Sequence, residues 1–201
     1  MLSYTTLVWL TYRVAAAVAL GLPLVLLIWA VIRREGSLIR LLTIYWKVAS
    51  LMAIGVLLLT NARPLGFLVA FLAPCLMLLS VWFWVDINEE LADLPPWRPL
   101  PFTVRFWRWM LSGFCMLSAA VTSLALPCFT GIYSNKCQVW LQAPQQLHQV
   151  VEQIFDFVFG GDWTQAIAAF TGYVALVAYT ATMLQWILVR LPRQGRIAGE
   201  F

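Results

Sequence analysis

The chain has 201 residues, 62% of them hydrophobic and only 11% charged, with a net charge of +4. Soluble domains average about half apolar and roughly a quarter charged, so this surplus of apolar surface excludes a soluble globular protein. The basic residues flank apolar runs instead of forming a patch of their own, which points to membrane topology and away from nucleic acid.

Crossing a hydrocarbon core takes about 20 apolar residues. Stretches 14–32, 41–60, 65–85, 109–126 and 166–189 are each long enough. In lipid the backbone must satisfy its own hydrogen bonds, so each should be a helix. A β-barrel strand would alternate, and "PLVLLIWAVI" does not. The expected fold is all-α: one polytopic membrane domain over 1–201, a bundle of about five transmembrane helices. An exterior loop, 127–165, should hold one amphipathic helix.

The first run follows Arg13 and is too long for the apolar core of a cleaved signal, so it is expected to remain as a span. Pro23 there and Pro74 in the third run each remove a backbone donor and should kink their helices. Small residues recur every four positions at Ala17 and Gly21, at Cys115, Ala119 and Ser123, and at Ala168 and Gly172, stripes along which helices can approach closely. Lys47, in the second run, is the only charged residue within the spans. Its stem can snorkel to the interface, and a pairing with Asp86 is within reach.

From the third run leads "VWFWVDINEELADLPPWRP". Asp86, Glu89, Glu90 and Asp93 suit a helix that continues out of the membrane and ends at Pro95-Pro96. The arginines around them, Arg98 and Arg105 included, suggest ion pairs between loops. Together these six residues are the expected partner-binding face.

Past the fourth run stand Cys128 and Cys137. Pro144 can open a helix and Gly160-Gly161 can end it. Between them Leu147, Val150, Val151, Ile154, Phe155 and Val158 share one face, expected to lie on the membrane or the bundle. The opposite face carries His148, Glu152 and Asp156 at four-residue spacing. That register can hold a metal, but a solvated polar face accounts for the same residues and no metal centre is assigned. Asp162, with Gln165 three residues on, reads as the cap of the last span.

Five spans place the termini on opposite sides. Arg13, Arg63 and Lys136 fall on the N-terminal side; Arg33, Arg34, Arg40, Arg98, Arg105, Arg108, Arg190, Arg193 and Arg196 fall on the other. The positive-inside rule puts the N-terminus outside and the C-terminus in the cytoplasm. Cys128 and Cys137 then lie in the exterior loop, where disulfides persist. They are expected to be bridged, with Cys75 and Cys115 free.

Catalysis finds little support. The one histidine lies outside the spans, which excludes bis-histidine haem ligation within them and leaves a serine nucleophile without a base. Neither GxxxxGK[ST] nor GxGxxG occurs. No cofactor ligated by the chain itself is expected, although lipid or peripheral pigment contacts suit its eleven tryptophans.

The stretches "LVWLTYR", "PLVLLIWAVI", "IYWKVASLMAI", "WFWVDINEE", "CQVWL" and "RQGRIA" together resemble a family of uncharacterised cyanobacterial multi-spanning membrane proteins of about 200 residues. The resemblance implies a thylakoid location, with the exterior being lumen or periplasm. It makes a photosystem or related complex the expected partner, besides membrane lipid. The leading expectation is a non-enzymatic membrane subunit or an assembly or stabilising factor. A small transporter or channel component is the alternative.

Overall fold

Seven helices and no strand make up the described residues, which in this computed structural model are 4–95, 97–130 and 135–196. They are α1 (Tyr4–Arg33), α2 (Gly36–Thr60), α3 (Pro64–Trp82), α4 (Val85–Asp93), α5 (Pro99–Ser123), α6 (Asn135–Phe159) and α7 (Gln165–Arg193). Four of them, α1, α2, α3 and α7, are long and apolar enough to cross a membrane. The expected span 109–126 falls on α5, which is not among the four. With 25 residues α5 has the length to cross, but Arg105, Arg108 and its hydroxyl residues lower its hydropathy.

α2 is the centre of the bundle and packs against α1, α3, α4, α6 and α7. The turn from α2 to α3 is tight. Ala62 takes a positive φ, and a Cβ on Gly66 would stand 2.8 Å from the Leu59 side chain and 3.0 Å from its backbone nitrogen. The stripe Ala168–Gly172 does seat α7 on α2. A Cβ on Gly172 would press on Leu57 and Leu58 at 3.2 Å. In α1 the small-residue stripe is displaced by two positions: Ala15 and Ala19 are buried, whereas Ala17 and Gly21 face outward.

Pro23 has a more specific consequence than a kink. The seven residues before Leu22 run as a π-helix, in which the Leu22 N–H reaches back to the Ala17 carbonyl. Pro23 has no N–H to offer Ala19, four residues back, or Val18, five back. Side chains from two other helices serve both carbonyls. The Tyr45 hydroxyl of α2 donates to Ala19 O at 2.7 Å, and Trp107 Nε1 of α5 donates to Val18 O at 3.0 Å. The two rings meet edge-to-face at 4.9 Å and both are fully buried. One missing proton in α1 thus fixes the register of three helices.

Three details of the chain's local structure differ from expectation. α3 does not continue into the acidic segment: it stops at Trp82, the chain turns through Phe83 and extended Trp84, and α4 starts anew at Val85. α6 opens at Asn135, and Pro144 lies buried inside it. The cap of α7 is Thr164, whose side-chain oxygen accepts from Ile167 N–H at 3.3 Å, not Asp162.

Candidate functional site

Each end of the bundle gathers polar groups, in different chemistry. At one end Cys128, on a short 3-10 turn after α5, and Cys137, in the first turn of α6, form a disulfide with Cα atoms 5.9 Å apart. Both are buried beside Val8, Leu59, Phe67 and Trp140. Residues 131–134, including Gly131 and Ser134 of the enclosed loop, lie outside the described residues. Trp140 ties the same corner to α1: its carbonyl accepts from the Tyr12 hydroxyl at 3.0 Å, and its Nε1 donates to the Tyr4 hydroxyl at 2.8 Å. Cys75 and Cys115 are free, as expected.

The apolar face of α6 turns away from the bundle, one of the two dispositions expected of it, but the opposite face is not the fully solvated one expected. His148 is buried and shares a small cavity with Val56, Leu57 and Thr60 of α2. Leu147, Val150, Val151, Ile154 and Val158 point outward, as do Phe157 and Phe159. His148 Nε2 stands 3.8 Å from Glu152, and Asp156 is exposed. No cluster of three metal-ligating residues exists among the described residues.

The other end is organised around α4. A helix leaves its last carbonyls without partners, and at the end of α3 three side chains, two of them distant in sequence, supply them. Arg108 Nη2 of α5 donates to Val81 O at 2.8 Å, Asn88 Nδ2 of α4 to Trp82 O at 3.1 Å, and Arg196 Nε to Phe83 O at 2.8 Å. Arg108 Nη2 also donates to Asn88 Oδ1, and its guanidinium lies over the Trp82 ring, 4.1 Å from the centroid. Trp82 Nε1 in turn donates to Ser112 Oγ at 2.8 Å.

α4 is clamped from three sides. Arg105 Nη2 donates to the carbonyls of Leu91, Ala92 and Leu94, at 2.5, 3.1 and 2.9 Å, and so closes its C-terminal end. Glu90 pairs with Arg40 of α2 at 2.5 Å. Beneath them Ile87 and Leu91 enter the main core. Arg98 reaches Glu35 at 3.5 Å, joining the segment after α4 to the loop between α1 and α2.

The six expected partner-binding residues therefore divide. Glu90, Arg98 and Arg105 are engaged within the fold. Asp86 is half-buried in the first turn of α4. Glu89 and Asp93 are exposed and make no ion pair among the described residues. Lys47 lies exposed on α2. Pro96, of the expected Pro-Pro stop, is outside the described residues, and α4 ends at Asp93.

A cavity of about 330 Å³ opens between α3, α4 and α5, lined by Trp82, Asn88, Leu91, Ala92, Arg105, Arg108 and Trp109. Sequence reasoning counted Arg108 only toward topology and passed over Asn88. A signal was present. Val104, Arg108, Leu111, Cys115, Ser118 and Thr122 recur at helical spacing and form the buried face of α5, so an arginine stands in a core stripe.

Among protein families, one described as a protein of unknown function (DUF3177) matches residues 5–199, nearly the whole chain. No curated protein and no solved structure matches it.

Proposed function

The chain belongs to the DUF3177 family, whose function is unassigned, and on its geometry we propose that it is a non-enzymatic membrane subunit or an assembly or stabilising factor that docks on a larger membrane complex through α4. One observation carries this reading. α4 is immobilised by Arg40, Arg105 and Arg108, yet it holds Glu89 and Asp93 outward at four-residue spacing. Such a fixed edge meets a basic partner surface with little ordering cost. α5 serves as a fifth crossing, so that α4 lies in the cytoplasm, where the excess of arginines belongs. The disulfide end and the N-terminus then lie in the lumen or periplasm. A cyanobacterial thylakoid location and a photosystem or related complex as partner extend the same proposal, with lipid or peripheral pigment on the outward aromatic residues.

A transporter or channel component is less well supported. Broken helices in transporters leave backbone carbonyls for an ion or substrate. At the break in α1, Tyr45 and Trp107 already hold the carbonyls of Ala19 and Val18.

The test is affinity purification from native membranes, with partner measured per folded chain. Replacing Glu89→Gln together with Asp93→Asn should release the partner, while Lys47→Met should leave it bound. Retention of the partner by the double variant and its loss with Lys47→Met would contradict the reading.

A further inference from the structure

Arg108 borders the cavity beside α4 and is 5% exposed. Among the described residues its hydrogen bonds both leave from Nη2, to the Val81 carbonyl and the Asn88 amide oxygen. Nε is buried with no partner. No carboxylate among the described residues forms an ion pair with it. Arg105, three residues earlier, lines the same cavity and turns Nη2 to carbonyls. Two cations thus face one cavity and, among the described residues, are balanced by backbone and amide dipoles and the Trp82 ring, with no counter-charge. Burying a charge without a counter-charge costs several kcal/mol. Among the described residues Nη1 makes no hydrogen bond and, unlike Nε, is not sealed from the surroundings, so it is the nitrogen left to give an oxyanion in the cavity a charge-assisted hydrogen bond.

The surroundings indicate where that oxyanion comes from. Trp109 lines the cavity and is 70% exposed, and Phe102 and Phe106 continue its outward stripe along α5. Exposed aromatics on a membrane helix lie against lipid near the interface. The cavity therefore borders the lipid-facing side of α5, at the end of the bundle that carries the charged clamps. Its volume falls within the usual range for small-ligand sites, about 300–1,000 Å³.

We propose that this cavity binds the anionic headgroup of a membrane lipid, a phosphate diester or a sulfonate. Arg108 holds the oxyanion through Nη1, Arg105 adds the second positive charge, and Trp82 and Trp109 cover the first carbons of the lipid. The bound lipid neutralises the buried arginine and fastens α4 to α5.

The experiment uses the purified full chain, delipidated in detergent, with phosphatidylglycerol, phosphatidylcholine and inorganic phosphate as separate probes. Native mass spectrometry should show one phosphatidylglycerol retained per chain and no retained phosphatidylcholine, with a rise in Tm for the first alone. Arg108→Gln should weaken retention by at least about tenfold. Trp109→Ala should weaken it as well, and it decides the matter if Arg108→Gln fails to fold, because Trp109 faces outward. Arg33→Gln, at the exposed end of α1, should bind as the parent does. Equal binding by both cavity variants, or equal retention of phosphatidylcholine, overturns the proposal. Stabilisation by inorganic phosphate without retained phosphatidylglycerol also overturns it, by assigning the cavity to a free ion.

Discussion

The two ends of the bundle are closed by opposite means. At the disulfide end the contacts are covalent and aromatic: a buried bridge, Trp140 wedged among Val8, Leu59 and Phe67, and two tyrosine hydroxyls on one tryptophan. At the α4 end they are ionic and come from far along the chain. Arg108, Arg196 and Arg105 cap the carbonyls of α3 and α4, and Arg40 holds Glu90. The first closure depends on redox state and is nearly blind to ionic strength. The second should respond to salt and to whatever anion the surroundings supply.

Four variants make this difference measurable. Arg108→Leu should have the largest effect. It removes two charge-assisted hydrogen bonds from a buried cluster, worth about 1.5–3 kcal/mol each at the upper end, and should lower stability by about 3 kcal/mol. Its mark would be loss of protection at α4 in hydrogen exchange while α6 stays protected. Opening the disulfide with Cys128→Ser and Cys137→Ser frees a loop closed over a separation of nine residues, which should cost about 2–3 kcal/mol. The exchange pattern should then be inverted, with α6 loosened and α4 intact. Reductant should reproduce this loss in the parent and add nothing in the double variant.

Tyr45→Phe sits between the ends and should loosen neither alone. It leaves the Ala19 carbonyl buried without its donor, at a cost of about 1–2 kcal/mol, read as a uniform drop in Tm in detergent. Glu90→Gln should be the mildest, at less than about 1 kcal/mol for a partly exposed pair. Its effect should vanish in 1 M salt, where the Debye length falls to about 3 Å.

The same contrast governs how much was legible in the sequence. The helical segments were readable because apolar length alone defines them in lipid. The bridge was readable because Cys128 and Cys137 are close in sequence and charge placement assigned them a compartment. The break between α3 and α4 was not. Of the side chains that take the freed carbonyls, Asn88 stands within "VWFWVDINEE", but Arg108 and Arg196 lie further along the chain. The facing of α6 was hidden for another reason. Spacing left open whether the apolar face would meet the membrane or the bundle; Leu147, Ile154 and Phe157 turn outward, while His148, read as part of a solvated face, is buried against α2. Pro23 was read as a kink, but its effect on register depends on Tyr45 and Trp107, which no local pattern connects to it.

The proposed topology puts these two ends on opposite sides of a membrane, with α5 crossing between them despite Arg108. Asp93 on α4 and Asp156 on α6 are both exposed and flank α5 in the chain. Single thiols introduced as Asp93→Cys and Asp156→Cys can be probed in sealed membrane vesicles with an impermeant maleimide, before and after permeabilisation. The account predicts that in vesicles of one orientation only one of the two positions is labelled, and that inverting the vesicles exchanges them. Labelling of both positions from the same side would show that α5 does not cross, and would contradict the account.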